Sequence, residues 1–260
     1  ISISTDHFTK FALMASGAGA AISSDSSSGN TSTLLPQHPN GTLVKAKNGG
    51  TVYLLESGKK RPVVNPSIFE GRGYKWNEIV EISAVELNSY AAGADLNTYP
   101  DGYLLGGPDG KVYIVSDGAK RYITGPTVFT DLGFEFGDVI NVSAAHLSLY
   151  DSGTNLSAST THPNGTLIKT VTGGSVYRIE GGLKRPILSA SVFDNNGYRW
   201  SLIAVVSQAK LDSYATGSAI GTYPTGKVIR DTSNDRVYVI EGASILLSST
   251  SSDCLVVKYS

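Results

Sequence analysis

The sequence has very little cysteine and little charge. Its one cysteine, Cys254, cannot form an internal disulfide and cannot supply a thiolate metal cluster. Charged residues make up 17% of the chain, and 21 Lys and Arg against 22 Asp and Glu leave a net charge of −1. A general nucleic-acid binder normally carries a basic excess, so we expect no nucleic-acid partner. No apolar run reaches the roughly 18 residues that a spanning helix needs, so we expect no transmembrane helix.

Motifs that carry catalysis are missing as well. The sequence contains no HExxH, no GxSxG, no Walker loop, and no GxGxxG between a strand and a helix. Its four histidines lie at unrelated places, apart from the repeat pair His38 and His162, which precedes a Pro-Asn-Gly turn and indicates turn formation rather than catalysis. We therefore expect a chain that is not an enzyme and that holds no cofactor and no metal ion.

What the sequence does contain is an internal repeat. Residues 38–100 align without a gap with residues 162–224, and a more diverged copy lies between them. The four copies open on glycines that are 61, 63 and 61 residues apart, at Gly41, Gly102, Gly165 and Gly226. Self-similarity at a fixed period indicates a tandem-repeat architecture.

The repeat divides the chain into five segments. An N-terminal extension precedes three complete repeats, and a fourth, partial repeat leads into a C-terminal strand. Ile245 and Leu246 stand where the other repeats have Lys-Arg, so we expect this last unit to act as a cap or to be completed by another segment. The boundaries of the five segments are 1–37, 38–98, 99–161, 162–222 and 223–260.

Local patterns predict the elements of one repeat. β-rich runs flank Asn48-Gly49-Gly50, a hairpin signal, and Asn65-Pro66 is typical of a helix start. Ser83 with Glu86 forms a capping box for a second helix. The predicted fold class is therefore α+β and β-dominated, with about three short antiparallel strands and two short helices per repeat. We expect an extended or gently curved row of repeats that bury apolar faces against one another, with closure into a propeller as the alternative.

A Lys-Arg pair recurs in the three complete repeats and has two interpretations. The pairs could form a basic ladder for an anionic glycan or a cell-wall phosphate. The favoured interpretation is structural, because adjacent strand residues point to opposite faces. One side chain would then cover the core while the other meets an acid of the next repeat. The residues are Lys60, Arg61, Lys120, Arg121, Lys184 and Arg185.

Two aromatic residues at a spacing of two also recur, and they too could bind or pack. Paired rings can stack on sugars, which favours carbohydrate binding. The second repeat has phenylalanine at both positions, and such a change is what a core tolerates, so packing is the favoured interpretation. The candidate ligand-binding residues are Tyr74, Trp76, Tyr198 and Trp200.

The two terminal segments contain the candidate assembly residues. Apolar residues in both could pair with a neighbouring chain by β-augmentation, or could fold back on their own chain, and the sequence leaves both alternatives open. These residues are Phe8, Phe11, Leu13, Met14, Leu255, Val256 and Val257.

The unit pattern G-T-L-(V/I)-K…V-Y…G-x-K-R-P…F…G-Y-x-W…S…L…Y…G, over residues 38–242, resembles tandem repeats of secreted and cell-surface bacterial proteins. The resemblance implies an extracellular or cell-surface location and a role in adhesion, wall attachment or surface structure. The leading hypothesis is a structural protein that self-associates into a filament or surface layer through its terminal segments. The alternative is a repeat module that binds cell-wall glycan or another polysaccharide through the aromatic pairs and the Lys-Arg ladder.

Overall fold

The structure is a computed structural model that describes residues 3–4, 38–157, 161–231, 236–241, 244–247 and 256–258. The candidate assembly residues Phe8, Phe11, Leu13, Met14 and Leu255 lie outside the described residues. The chain forms two units: residues 1–63, 75–95 and 223–260 make unit 1, and residues 64–74 and 96–222 make unit 2. The first strand, β1 (Ile3–Ser4), belongs to the sheet of the fourth repeat and is described with it.

The first repeat builds a mixed five-stranded sheet. Three consecutive strands form an antiparallel meander, and two shorter strands extend it at its edges in the order β5-β2-β3-β4-β6. Strand β5 runs parallel to β2, and β6 runs parallel to β4. The strands are β2 (Leu43–Ala46), β3 (Val52–Glu56), β4 (Lys59–Pro62), β5 (Val80–Ile82) and β6 (Ala91–Ala92). The predicted antiparallel strands are thus present, whereas the parallel edge strands are too short to show a sequence alternation.

Two short helices and a 3₁₀ turn connect β4 to β6. Helix α1 (Pro66–Gly71) belongs to unit 2, whereas the 3₁₀ turn (Trp76–Glu78) and helix α2 (Ala84–Ser89) belong to unit 1. The side chain of Asn65 accepts a hydrogen bond from the amide of Ile68 at 2.9 Å, as its predicted capping role requires. The helix crossover between β4 and β5 is what allows parallel pairing at the sheet edge.

The second repeat copies this plan. Its sheet has the order β10-β7-β8-β9-β11, again with both outer strands parallel to their neighbours. Its strands are β7 (Leu104–Gly106), β8 (Val112–Ser116), β9 (Ala119–Tyr122), β10 (Ile140–Asn141) and β11 (Asp151–Ser152). Its helices are α3 (Pro126–Asp131) and α4 (Ala144–Leu147), with a 3₁₀ turn at Phe136–Asp138.

The third repeat differs only at one edge. Its sheet has the order β14-β13-β12-β15, and an isolated parallel bridge between Lys184 and Thr216 replaces the outermost strand. Its strands are β12 (Leu167–Thr170), β13 (Tyr177–Glu180), β14 (Leu183–Pro186) and β15 (Ile203–Val206). Its helices are α5 (Ala190–Asn195) and α6 (Gln208–Asp212), with a 3₁₀ turn at Trp200–Leu202.

The fourth sheet is completed by both terminal segments. Its central strands repeat the antiparallel meander, and the order is β1-β16-β17-β18-β19. Strand β1 pairs antiparallel with β16, and the C-terminal strand β19 pairs antiparallel with β18. The strands are β16 (Val228–Asp231), β17 (Val237–Glu241), β18 (Ser244–Leu247) and β19 (Val256–Lys258).

The described elements are mostly strands in several small sheets, so the β-dominated α+β prediction is confirmed. Repeats 2 and 3 bury one hydrophobic core together within unit 2, and Ile114 and Leu132 of repeat 2 lie in it with Ile168 and Ile179 of repeat 3, all fully buried. None of the helices in the described ranges has the length and apolar character needed to cross a bilayer. The shape of the predicted row stays a prediction.

The opening glycines of repeats 2 and 3 meet backbone to backbone. Gly165 has φ +90°, and a Cβ atom placed on it would lie 2.4 Å from the Cβ of Asp101 and 2.7 Å from the amide nitrogen of Gly102. Gly102 itself has φ +93° and would place a Cβ 2.4 Å from the carbonyl oxygen of Gly165. Glycine recurs at this point because both the positive φ and the close approach exclude a side chain.

Replacing Gly165 by alanine should therefore destabilise unit 2 by roughly 1–3 kcal/mol, since it adds backbone strain and a clash. The measurement is chemical unfolding followed by circular dichroism. Gly174→Ala, in the same repeat, is the matched control, because a Cβ there meets nothing within 4 Å and its φ is not positive. Equal stabilities of the two variants would contradict this account of the repeat.

Candidate functional site

The lysine of each Lys-Arg pair contacts the end of the second helix of its own repeat. Lys60 Nζ donates to the carbonyl oxygen of Leu87 at 2.8 Å, and Lys184 Nζ donates to that of Leu211 at the same distance. Lys120 Nζ donates at 2.7 Å to the carbonyl oxygen of Tyr150, three residues after the end of α4. A cation at a helix carboxyl end is electrostatically favourable, so these lysines hold the sheet and the helix together.

The arginine of each pair fastens the loop that follows that helix. Arg61 Nε donates to the carbonyl oxygen of Ala94 at 3.0 Å, and Arg185 Nε donates to that of Ser218 at 2.8 Å. Arg121 contacts the carbonyl oxygen of Thr154 in the same way at 2.8 Å. These contacts support the structural interpretation of the pair.

The acid that meets this arginine lies in the same repeat, so the expected partner in the next repeat was wrong. Arg61 Nη1 lies 2.6 Å from Glu56 Oε2, and Arg185 pairs with Glu180. The strand register explains the difference. Arg61 stands opposite Leu54, and Glu56 follows two residues later on the same face of that strand.

The aromatic pairs divide into a packed ring and a half-exposed ring. In repeat 3, Tyr198 meets the buried Phe193 edge-on, with 5.5 Å between ring centroids. Trp200 stacks on the same Phe193 at 4.0 Å but remains 52% exposed. The equivalent Phe136 and Trp76 are 57% and 51% exposed. The first position is therefore a packing position, whereas the second presents part of an aromatic ring to solvent.

A buried histidine lies where the sequence indicated only a turn. His162 is 4% exposed; its Nδ1 lies 2.7 Å from the hydroxyl of Tyr214 and its Nε2 lies 2.8 Å from the carbonyl oxygen of Leu132. A carbonyl only accepts, so Nε2 carries the proton of the neutral ring and Nδ1 accepts from the tyrosine hydroxyl. Burial lowers the pKa of His162 to about 4. The recurrence of histidine and tyrosine at fixed places in repeats 1 and 3 was the sequence signal for this contact.

The equivalent histidine of repeat 1 has a different partner. His38 Nε2 lies 3.0 Å from Glu86 Oε1, and its amide donates to the hydroxyl of Tyr90 at 2.8 Å. Burial lowers the pKa of His38, and the carboxylate of Glu86 partly opposes that shift. The amides of both histidines thus bond the tyrosine that follows the second helix of their own repeat.

Strand β1 occupies the sheet position that an internal strand fills in the other repeats. Ile3 pairs with Asp231 and Ser4 with Arg230. In repeat 1 the corresponding positions of β2 pair with β5, at Lys45–Glu81 and Ala46–Ile82. In the described fourth sheet, β1 thus occupies the edge position that β5 occupies in repeat 1.

Strand β19 does the same at the opposite edge. Val257 pairs with Ile245 and Lys258 with Ser244, where β4 of repeat 1 pairs with β6. Strands β1 and β19 run antiparallel to their neighbours, whereas the internal edge strands of repeat 1 run parallel to theirs. Of the candidate assembly residues, Val256 and Val257 are thus paired in a sheet of their own chain.

No family model and no curated protein matches this chain. Among solved structures it is similar to a chain of the periplasmic assembly from the ESX-5 inner membrane complex, with 12% identity and a TM-score of 0.20 over 80% of this chain and 70% of that chain. A chain of an intact ESX-5 inner membrane complex gives 13% identity and a TM-score of 0.21, over 87% of this chain and 61% of that chain. Similarity at these TM-scores does not assign a fold or a function to this chain.

The buried His162 makes the stability of unit 2 depend on pH. The unfolded chain takes up this proton near pH 6.5 and the native chain only near pH 4, so acid favours the unfolded state. The free energy of unfolding should fall by up to about 3 kcal/mol on this account as the pH drops from 7 to 4. In His162→Gln, chemical unfolding measured across that range should show a smaller decrease. Parallel pH profiles for the two proteins would contradict the assigned environment of His162.

Proposed function

We propose that this chain is a non-enzymatic, extracellular structural subunit that polymerises by donating its N-terminal strand to the fourth sheet of the next copy. The observation that carries the proposal is the fourth sheet, in which β1 and β19 replace internal edge strands. The repeat resemblance to secreted and cell-surface proteins supports the location.

The physical reason for strand donation is that an unpaired sheet edge is unfavourable. The edge of a sheet exposes amide and carbonyl groups that pair readily with another chain. Repeats 1 and 2 fill both edges with strands of their own, whereas in the described part of the fourth repeat the two edges of the meander are paired with β1 and β19. The edge beside β16 is thus filled by a segment that precedes the first repeat, and β1 has the register to pair with it.

The same pairing can be made between two copies. Residues 5–37 connect β1 to the first repeat. At about 3.3 Å per residue, a connection of this length reaches roughly 100 Å when extended, so the sheet of a neighbouring molecule is within reach. Exchange of an identical element between protomers needs no new type of contact. Each copy would donate one strand and accept one, which generates an open, head-to-tail chain.

A register-matched disulfide tests the exchange. Ile3 and Asp231 are direct partners in the antiparallel pairing, at a separation that a disulfide can bridge. We expect Ile3→Cys combined with Asp231→Cys and Cys254→Ser, after oxidation, to give a ladder of covalent oligomers on a denaturing, non-reducing gel. Each cysteine would then join one molecule to the next.

The control variants carry only one of the two new cysteines together with Cys254→Ser, and they should give at most a dimer. A single monomer band that contains an internal disulfide would overturn the proposal, because it would show that β1 pairs within its own chain. Electron microscopy of the unmodified protein is the independent measurement, since filaments or lattices are visible directly.

A second candidate function is glycan binding, and the half-exposed tryptophans favour it. Trp76 and Trp200 recur at the same repeat position, and each is about half exposed. Exposed aromatic rings are suited to stacking on sugar rings, so these residues would bind a cell-wall glycan. The Lys-Arg pairs add little to this candidate, because their nitrogen atoms already bind loop and helix carbonyls.

Pull-down on purified cell walls tests the glycan candidate. The variant Trp76→Ala with Trp200→Ala should lose binding, while thermal melting shows that it remains folded. Leu188→Ala is the matched control, because this apolar side chain is 65% exposed but is not aromatic. Unchanged binding by the double variant would exclude these rings as the glycan site.

A further inference from the structure

Unit 2 contains a cavity of about 260 Å³ whose charge is unbalanced. Its lining includes three arginines, Arg72, Arg178 and Arg199, but one acid, Asp101. Helix α1 ends beside it, and repeats 2 and 3 supply the other walls. Three separate segments of unit 2 therefore each place one guanidinium group at the cavity.

Comparison among the repeats shows that Arg178 stands at a position that is aliphatic in repeats 1 and 2. The positions equivalent to Arg178 are Leu54 in repeat 1 and Ile114 in repeat 2. Ile114 is fully buried in the core, whereas the Arg178 side chain is 22% exposed. Placing a charged group where an aliphatic one suffices is costly unless something compensates for it. Arg178 is thus a departure from the repeat that points to a local role.

Arg72 is a second departure of the same kind. The equivalent residues are Leu132 and Asn196. The Nη2 atom of Arg72 donates to the carbonyl oxygen of Thr98 at 2.9 Å, but its Nε atom is buried without a hydrogen-bond partner among the described residues. A buried donor without an acceptor is unfavourable, so an acceptor in the cavity would stabilise it.

The neighbouring groups leave an excess of positive charge. Arg178 forms an ion pair with Glu180, but that carboxylate is shared with Arg185 outside the cavity lining. Asp101 accepts a hydrogen bond from the amide of Gly118 at 2.9 Å through Oδ1. One lining carboxylate and one shared carboxylate thus face three guanidinium groups. The field inside the cavity favours an anion.

We propose that this cavity binds a small organic anion through a carboxylate or phosphate group. Guanidinium groups match both anions with paired, charge-assisted hydrogen bonds. Tyr198, whose ring lies 5.5 Å from the Arg178 guanidinium, and Leu202 provide apolar surface for a carbon skeleton. The volume is below the roughly 300–1,000 Å³ of sites for drug-sized molecules, which indicates a ligand of monosaccharide size. This site is independent of the proposed polymer contact.

Calorimetry with the full chain tests the site. The probes are glucuronate, glucose 1-phosphate, inorganic phosphate and neutral glucose, at low and at raised salt. We expect one or both of the sugar anions to bind, with affinity that falls as salt rises, and glucose not to bind. The relative affinities of glucuronate and glucose 1-phosphate distinguish a carboxylate ligand from a phosphate ligand. Equal binding of neutral glucose, or no binding by any anion, would overturn the proposal.

Variants copied from the sister repeats separate binding from folding. Arg178→Leu and Arg72→Leu introduce the residues found in repeats 1 and 2, so we expect both to fold, which thermal melting without ligand checks. Arg72→Leu also loses the hydrogen bond to the carbonyl oxygen of Thr98, so a modest fall in its melting temperature is expected. We expect each to weaken anion binding by at least about tenfold. Lys111→Gln removes an exposed charge of unit 2 outside the cavity and should bind as the wild type does. Equal weakening by Lys111→Gln would show that only overall charge attracts the anions, and the cavity would then not be the site.

Discussion

Each of the four described sheets contains a three-stranded antiparallel meander, and the two edge strands of that meander need hydrogen-bond partners. In repeats 1 and 2 the helix crossovers return the chain to both edges as β5, β6, β10 and β11, in parallel with the meander. Lysine and arginine side chains then fix the returning segment, because their nitrogen atoms reach the carbonyls of its helix and loop. The most regular feature of the sequence, the Lys-Arg pair, is therefore part of the device that closes a sheet edge. In the described part of the fourth repeat, Ile245 and Leu246 stand in place of the pair, and β1 and β19 occupy the two sheet edges.

Local signals predicted much of the repeat, because they act within a few residues. The caps at Asn65 and Ser83 and the meander strands lie where the sequence placed them. The parallel edge strands were not predictable, because two or three residues carry no alternation and their pairing is decided by the crossover. The partner of His162 was also missed, since Tyr214 lies 52 residues away and is brought close only by the fold. The candidate site residues were predicted from their recurrence in the sequence. In the structure, most of these recurring side chains make contacts that hold their own repeat together.

Functional information in a repeat protein lies in the departures from the repeat as well as in the pattern. Trp200 and Arg185 recur and have packing or loop contacts that account for part or all of their recurrence. Arg178 and Arg72 do not recur, and each stands where a sister repeat has leucine. Because one sister repeat folds with leucine at each position, the positive charge is not a requirement of the repeat pattern. Arg72 does keep one contact of that pattern, since it donates to the carbonyl oxygen of Thr98 as Asn196 donates to that of Thr222. The same reasoning applies to Ile245 and Leu246, whose departure from Lys-Arg accompanies the change from an internal to a terminal edge strand.

Pairing of β1 within its own chain and pairing with a neighbour make the same backbone hydrogen bonds, so these bonds cannot decide between the two. The connection through residues 5–37 gives the internal pairing a high effective concentration, in the millimolar range for short flexible links and lower for longer ones. A polymer must therefore gain something that the isolated molecule lacks. Under the proposal, burial of the apolar residues Phe8, Phe11, Leu13 and Met14 against the neighbour would supply this gain, at about 25 cal/mol per Å² of apolar surface. Burial of roughly 200 Å² of their surface would offset a thousandfold difference in concentration, which equals about 4 kcal/mol. Strand exchange thus requires that β1 and the apolar residues after it bind the neighbouring copy together, because pairing of β1 alone gives the polymer no advantage.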